Sequence, residues 1–176
     1  MKALARLFPL TPGTLIVRTH YLSRLIYAEI AVLVFICDQA TKAMVERSIP
    51  LNTVIPVIPH FFNLTDTHNP GAAFGLFSDS PAPWKTALLI VISLLLLSAV
   101  VFFVFKSRQL GWPSGMALGF ILGGAASNLL DRIRYGRVTD FLDFYIHHYH
   151  WYTFNLADSA IVVGAGLLIL SLAVSE

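Results

Sequence analysis

The stretch Gly119–Asp158, GFILGGAASNLLDRIRYGRVTDFLDFYIHHYHWYTFNLAD, takes a hydrophobic helix to a polar end and delivers Asp131, Asp140, Asp143 and Asp158 before the next apolar run begins. Ionisable groups at a bilayer boundary are costly to hold and face protein or water instead of lipid, so carboxylates gathered between two apolar runs point to a site. Asp140 and Asp158 are the pair to examine for chemistry. Asn155 and Asp158 also have the three-residue spacing of a helix-capping pair, a structural use of the same residues. The local pattern leaves both readings open.

Composition sets the surroundings. Of 176 residues, 56% are hydrophobic and 12% charged, and the mean hydropathy is +0.71. Soluble domains carry about 25% charged residues, so this chain belongs in a membrane. The net charge of +2 is small and dispersed, and no basic-aromatic array or phosphate-cradling glycine loop accompanies it, which excludes nucleic acid as a partner. The one cysteine, Cys37, cannot form an intrachain disulfide and reads as a small apolar wall residue.

Met1–Arg24 holds Lys2, Arg6, Arg18 and Arg24 with no acid, ahead of the apolar run Leu25–Cys37. The basic region is too long for a secretory signal, no A-x-A-like site follows, and Glu29 interrupts the run, so it reads as a retained anchor. Four spans are expected at about residues 21–40, 84–105, 116–130 and 157–174, each near the length a bilayer requires. The expected fold is an all-α membrane protein, a single integral membrane domain over 1–176 with residues 1–20 as a cytoplasmic tail. Segments 41–83 and 131–156 lie on the far side. Within them, Thr53–Thr67 (TVIPVIPHFFNLTDT) and Gly136–Trp151 are β-branched and aromatic, which predicts a small extracytoplasmic β platform at headgroup level. Span three carries Gly111, Gly115, Gly119, Gly123, Ser127 and Asp131 at four-residue spacing, a stripe that lets a helix approach closely. Ala160 and Gly164 are a shorter counterpart, so spans three and four are expected to be neighbours across it.

Chemistry narrows by residue type. There is no G-x-S-x-G elbow for a serine nucleophile, and no H-E-x-x-H, so His147, His148 and His150 read as an interfacial surface. No metal and no cofactor is expected. Two aspartates held close share a proton, so one acts as base toward water and the other as acid toward a carbonyl, which hydrolyses a peptide bond unaided. Spacing cannot choose between Asp140 and Asp143. Residues three apart share a helical face but point to opposite sides of a strand.

Five runs in order, Asp38–Lys42 (DQATK), Asn69–Phe74 (NPGAAF), Asn128–Arg132 (NLLDR), Val138–Phe144 (VTDFLDF) and Phe154–Asp158 (FNLAD), resemble the successive signature blocks of the lipoprotein signal peptidase (signal peptidase II) family. The resemblance implies a globomycin-sensitive, multi-pass aspartic endopeptidase of the bacterial inner membrane, with its site near the periplasmic face. Its substrates would be diacylglyceryl-modified prolipoproteins cut before the lipidated cysteine, and its partners those substrates and membrane lipids, with the enzyme a monomer. By match to the blocks, Asp140 and Asp158 would be the catalytic pair. Asn69, Gly71, Asn128, Arg132 and Asn155 would line the site, and Asp38 and Lys42 would brace the end of span one. Asp143 would orient the loop or meet Arg134 or Arg137. Ser127 stands where many members have glycine, and it is still small. A proton-coupled transporter would also use intramembrane carboxylates, but such proteins are commonly built from repeated halves, and spans one and two share no motif with three and four. A purely structural subunit would explain the stripe and not the aspartates.

Six Lys/Arg (Lys2, Arg6, Arg18, Arg24, Lys106, Arg108) lie at one end and six (Lys42, Arg47, Lys85, Arg132, Arg134, Arg137) at the other. The tail before the first span carries more weight, which places both termini in the cytoplasm. A reporter active only outside the cytoplasm is expected to be silent when fused after Glu176 and active when inserted near Asp79. The reverse pattern would invert the topology.

Overall fold

Helices and strands follow one another as α1 (Pro12–Ser48), β1 (Val54–Ile58), β2 (Phe62–Asn69), α2 (Pro83–Lys106), α3 (Trp112–Tyr135), β3 (Val138–Ile146), β4 (Tyr149–His150) and α4 (Leu156–Val174). The structure, a computed structural model, describes residues 12–71, 83–107 and 111–174. Residues 1–11 of the basic tail, the loop around Asp79 and Arg108 lie outside them.

Two helices outrun their sequence expectation. α1 has 37 residues, about 55 Å at 1.5 Å per residue, where a span over 21–40 is expected. It starts within the expected tail at Pro12, since proline is tolerated in a first helical turn, and continues to Ser48, with Lys42 and Val45 buried and Met44, Glu46, Arg47 and Ser48 exposed. α3 has 24 residues and ends at Gly136, whose left-handed φ of 69° and N–H bond to the Arg132 carbonyl form a glycine stop. The far-side segments therefore begin with helix, at 41–48 and 131–135.

Length and apolarity identify two spans, Trp84–Lys106 and Leu156–Val174. α1 is interrupted by Glu29, Asp38 and Lys42, and α3 is diluted by glycines and ends in Asn128, Asp131 and Arg132. Most of those polar groups point inward. Asp38, Lys42, Ser127, Asn128 and Asp131 are buried, whereas Leu33, Leu95, Phe102 and Val162 are exposed. That inversion of the soluble pattern suits a protein whose solvent is lipid.

The strands form one antiparallel array in the order β1-β2-β3-β4, with left-handed turn residues at His60 (φ 64°) and His147 (φ 56°). Phe141 packs with Val45 of α1 and with Ile49 just past its end, joined by Leu64, Leu142 and Leu156, and so fixes the sheet to the helices. Phe144 stacks on Phe62 at 4.7 Å and on Phe154 at 5.8 Å.

The glycine stripe corrects the sequence reading. α3 and α4 are neighbours, but the stripe faces α1. A Cβ on Gly119 would lie 2.8 Å from the Tyr27 carbonyl oxygen, and one on Gly123 would collide with the Ala31 carbonyl. Ser127 and Asp131 continue the stripe onto Asp38, Gln39 and Lys42 of α1. α4 uses a separate face of α3, where Gly124 meets the Ala157 backbone and a Cβ on Gly164 would lie 2.7 Å from the Ala117 carbonyl. Two close seams on one helix put α3 at the centre. Gly123→Leu is therefore expected to lower thermal stability in detergent, by at least the roughly 1–3 kcal/mol of overpacking. Gly166→Ala, where an added Cβ meets nothing within 4 Å, should unfold with the parent. Equal stability of the two variants would place the seam elsewhere.

Candidate active site

The site is assembled where α1, α3, β3 and the start of α4 meet. Asp38 and Lys42, four apart on α1, share a helical face, and Lys42 Nζ lies 2.7 Å from Asp38 Oδ2 and 2.6 Å from Asp131 Oδ2. It also donates to Asn128 Oδ1 at 2.8 Å. Asp38 Oδ2 accepts from the Ser127 hydroxyl at 2.7 Å, and its Oδ1 accepts the Ala157 N–H at 2.9 Å, in the first turn of α4. Gln39 completes the cluster by donating to Ser127 Oγ at 3.0 Å and Asp131 Oδ1 at 2.7 Å.

Asp158 sits in that first turn. Asn155 Oδ1 accepts the Asp158 N–H at 2.9 Å and Asp158 Oδ2 accepts the Asn155 N–H at 3.3 Å, the reciprocal cap that the spacing predicts. The cap engages one carboxylate oxygen. The other, Oδ1, accepts from Asn128 Nδ2 at 2.8 Å, so capping and site membership coexist in one side chain.

Asp140 arrives from β3. Asn155 Nδ2 donates to its Oδ1 at 2.7 Å and Asn69 Nδ2 to its Oδ2 at 2.9 Å. Asn155, fully buried, thus holds both aspartates, one through its amide nitrogen and the other through its carbonyl oxygen. Thr139, the neighbour of Asp140, donates to Glu46 Oε1 at 2.6 Å and ties β3 to α1. Burial pushes the Asp140 carboxyl up to about 7, with the Asp158 charge adding to the rise, while hydrogen bonds from Asn69 and Asn155 and the charge of Lys42 oppose it.

Arg132 donates to the Gly71 carbonyl at 3.1 Å and the Asn128 carbonyl at 3.3 Å. Its Nε is buried without a partner, and the charges of Asp158, Asp140 and Asp131 act on it. Gly71 N–H is held by Asn69 Oδ1 at 2.9 Å. All nine residues singled out in the sequence therefore fall into one connected set. Residues 72–74 of the second block lie outside the described residues.

Two expectations change. Among the described residues Asp143 meets no arginine. On the strand it faces away from Asp140, accepts from Asn63 Nδ2 at 2.8 Å and pairs with His150 Nδ1 at 2.8 Å. His150 in turn stacks on Tyr145 at 4.8 Å, so it is a sheet residue and not only surface. Cys37 is exposed and lines an apolar groove. Gln39 and the Ser127 hydroxyl were not singled out for their hydrogen bonds. Their signal was slight, a polar residue beside Asp38 and the departure from glycine.

A helical membrane protein that buries two acids against amides at the edge of a small sheet defines a class of enzyme. The family profile described as Signal peptidase (SPase) II matches residues 30–174. The lipoprotein signal peptidase of Solibacter usitatus is 43% identical over 143 residues, covering 81% of this chain and 87% of that protein. That of Desulforapulum autotrophicum is 46% identical over 136 residues, covering 77% and 83%. Two solved structures, each described as a bacterial membrane enzyme, are 35% identical and cover 84% of this chain. Their TM-scores are 0.76 and 0.73, with 87% and 92% of their own chains covered. The chain belongs to the signal peptidase II family.

The raised Asp140 carboxyl has a consequence for stability. An acid whose folded pKa is above its unfolded value keeps its proton longer in the folded state. Its contribution is then complete below the ordinary value of 3.8 and is lost as pH rises toward about 7. Asp140→Asn is expected to remove that decline, so the variant's unfolding midpoint should exceed the parent's increasingly from pH 4 to 7. A difference that stays constant across this window would show that Asp140 does not titrate there.

Proposed function

We propose that the protein is an aspartic endopeptidase that removes signal peptides from diacylglyceryl-modified prolipoproteins, cutting before the lipidated cysteine. One observation carries the reading. Asp140 and Asp158 are both held by Asn155, and neither is in an ion pair among the described residues. Amides fix the orientation of a carboxylate without neutralising it, so the pair stays able to share a proton. The pair shares one proton, and the reaction starts with that proton on Asp140 and Asp158 ionised. A water between them gives a proton to Asp158 as its oxygen attacks the scissile carbonyl carbon, while Asp140 protonates the carbonyl oxygen. On collapse the C–N bond breaks, the amine leaves with the proton from Asp158, and Asp140 recovers its own from the hydroxyl.

All four helices span on this reading. The polar residues of α1 and α3 that hydropathy counts against them mostly face the bundle interior. Arg24 of α1 donates to the Ser107 carbonyl at 3.1 Å, just past the end of α2, which sets this turn of α1 beside the end of α2, away from the site. That end is cytoplasmic and the site and sheet lie toward the periplasm, in one domain over the chain.

With a diacylglyceryl-modified prolipoprotein in detergent, the parent is expected to cleave, globomycin to block it and chelators to leave it unchanged. Asp140→Asn and Asp158→Asn should each lose more than the roughly 10²–10⁴-fold of a single acid-base group. The double variant should be no worse than either, as for residues acting as a unit. Asp143→Asn should retain measurable activity, since its partners lie on the other face of β3. An active Asp140→Asn enzyme, or a dead Asp143→Asn enzyme at matched folded amounts, would overturn the pairing.

A further inference from the structure

Asp38, Lys42 and Glu46 follow one another at four-residue spacing along α1, so the three lie on one stripe of the helix. Asp38 and Lys42 belong to the cluster already described. Glu46 lies outside the five sequence blocks, yet its Oε1 accepts the Thr139 hydroxyl at 2.6 Å. Thr139 and Asp140 are consecutive on β3, so their side chains leave the strand on opposite faces, one toward α1 and the other toward Asn69 and Asn155. The two ends of the stripe then have matching tasks. Asp38 holds the N–H of Ala157, the residue before Asp158, and Glu46 holds the side chain of Thr139, the residue before Asp140.

Asp140 needs such a hold because the ladder beside it is interrupted. From the pair Leu64–Leu142 to the pair Thr67–Asp140 there are three steps on β2 against two on β3, a bulge that separates the register at Asp140 from that at Phe62, Asn63 and Leu64. A bulge bends its strand and re-aims the side chains next to it, so pairing with β2 does not by itself set where the carboxylate stands. Thr139 is buried, and its carbonyl also accepts from Asn155 Nδ2 at 3.4 Å, so its position bears on the residue that holds both aspartates. A helix fixes the spacing of its own residues, and the eight positions from Asp38 to Glu46 are about 12 Å along its axis. We propose that Glu46 is a positioning residue: through the Thr139 hydroxyl it fixes β3 to α1, so that α1, from Asp38 to Glu46, sets the distance between Asp158 and Asp140. This rests on the proposed use of the two aspartates in peptide hydrolysis and adds a residue that acts on one of them through its neighbour.

The test compares Glu46→Ala, Glu46→Gln and Thr139→Val with the parent on one diacylglyceryl-modified prolipoprotein in detergent, at matched folded amounts. Glu46→Ala and Thr139→Val are each expected to lower kcat roughly 10- to 100-fold, the scale of a misplacement of about 1 Å. KM should stay within about twofold of the parent, since the bond lies behind the strand and touches no substrate. Glu46→Gln keeps an oxygen that accepts from Thr139 and should hold kcat within about threefold of the parent. The variant carrying both Glu46→Ala and Thr139→Val should be no slower than either single one, because both changes remove the same bond. If the parent cleaves and Glu46→Ala and Thr139→Val keep its kcat, the bond only anchors the sheet, whatever it does to thermal stability, and the inference falls while the enzymatic reading stands. It falls equally if Glu46→Gln is as slow as Glu46→Ala, which would assign the effect to the charge, or if the double variant shows the product of the two single losses. A parent that leaves the prolipoprotein uncut would take both readings down together.

Discussion

One buried ammonium organises the molecule. Lys42 lies between Asp38 and Asp131 and reaches Asn128, and these contacts join α1 to α3 while Asp38 extends the join to α4 through the Ala157 N–H. Removing one member of such a cluster leaves a charge uncompensated in a low-dielectric interior, a cost of roughly 3–5 kcal/mol. Among the described residues the same lysine makes no ion pair with Asp140 or Asp158. Asn128 stands between Lys42 and Asp158, its carbonyl oxygen on the first and its amide nitrogen on the second. A direct Lys42–Asp158 contact would favour the ionised carboxylate and weaken proton sharing. The asparagine transmits position and only part of the field.

The same constraint explains the architecture around it. Charged groups that must sit at membrane depth are tolerable only when turned inward and paired, which requires helices close enough to bury them. The glycine seams of α3 supply that approach on two faces, toward α1 and toward α4. The sheet then brings Asp140 to the polar end of the bundle from outside the helices, with Phe141 anchoring it against Val45 and Ile49.

Much of this was legible in the sequence for identifiable reasons. The blocks marked the residues that meet, the Asn155–Asp158 spacing described a cap that forms, and the β-branched segments form strands where the platform is expected. What was not legible depends on tertiary partners. Four-residue spacing shows that a helix face is narrow but not which helix approaches it, and the small residues Ala160 and Gly164 point to α4 where α1 is the partner. The face that does meet α4 is marked by Gly124, off that register. The helix ends were misplaced because Lys42 and Asp131 look like boundary charges until their pairing across α1 and α3 is seen. Nearby arginines in the sequence suggest a partner for Asp143, whereas β2 pairing and the β4 turn bring Asn63 and His150 to it.

The pH dependence of kcat/KM for cleavage of a diacylglyceryl-modified prolipoprotein tests the shared proton most directly, because it reports the ionisations of the free enzyme. With Asp140 holding its proton up to about 7, the profile should be bell-shaped and its alkaline limb should fall through neutrality as that proton is lost. A profile that stays level from pH 5 to 9 would show that no protonated carboxyl takes part, and would contradict the assignment of Asp140 and Asp158 as a coupled acid and base.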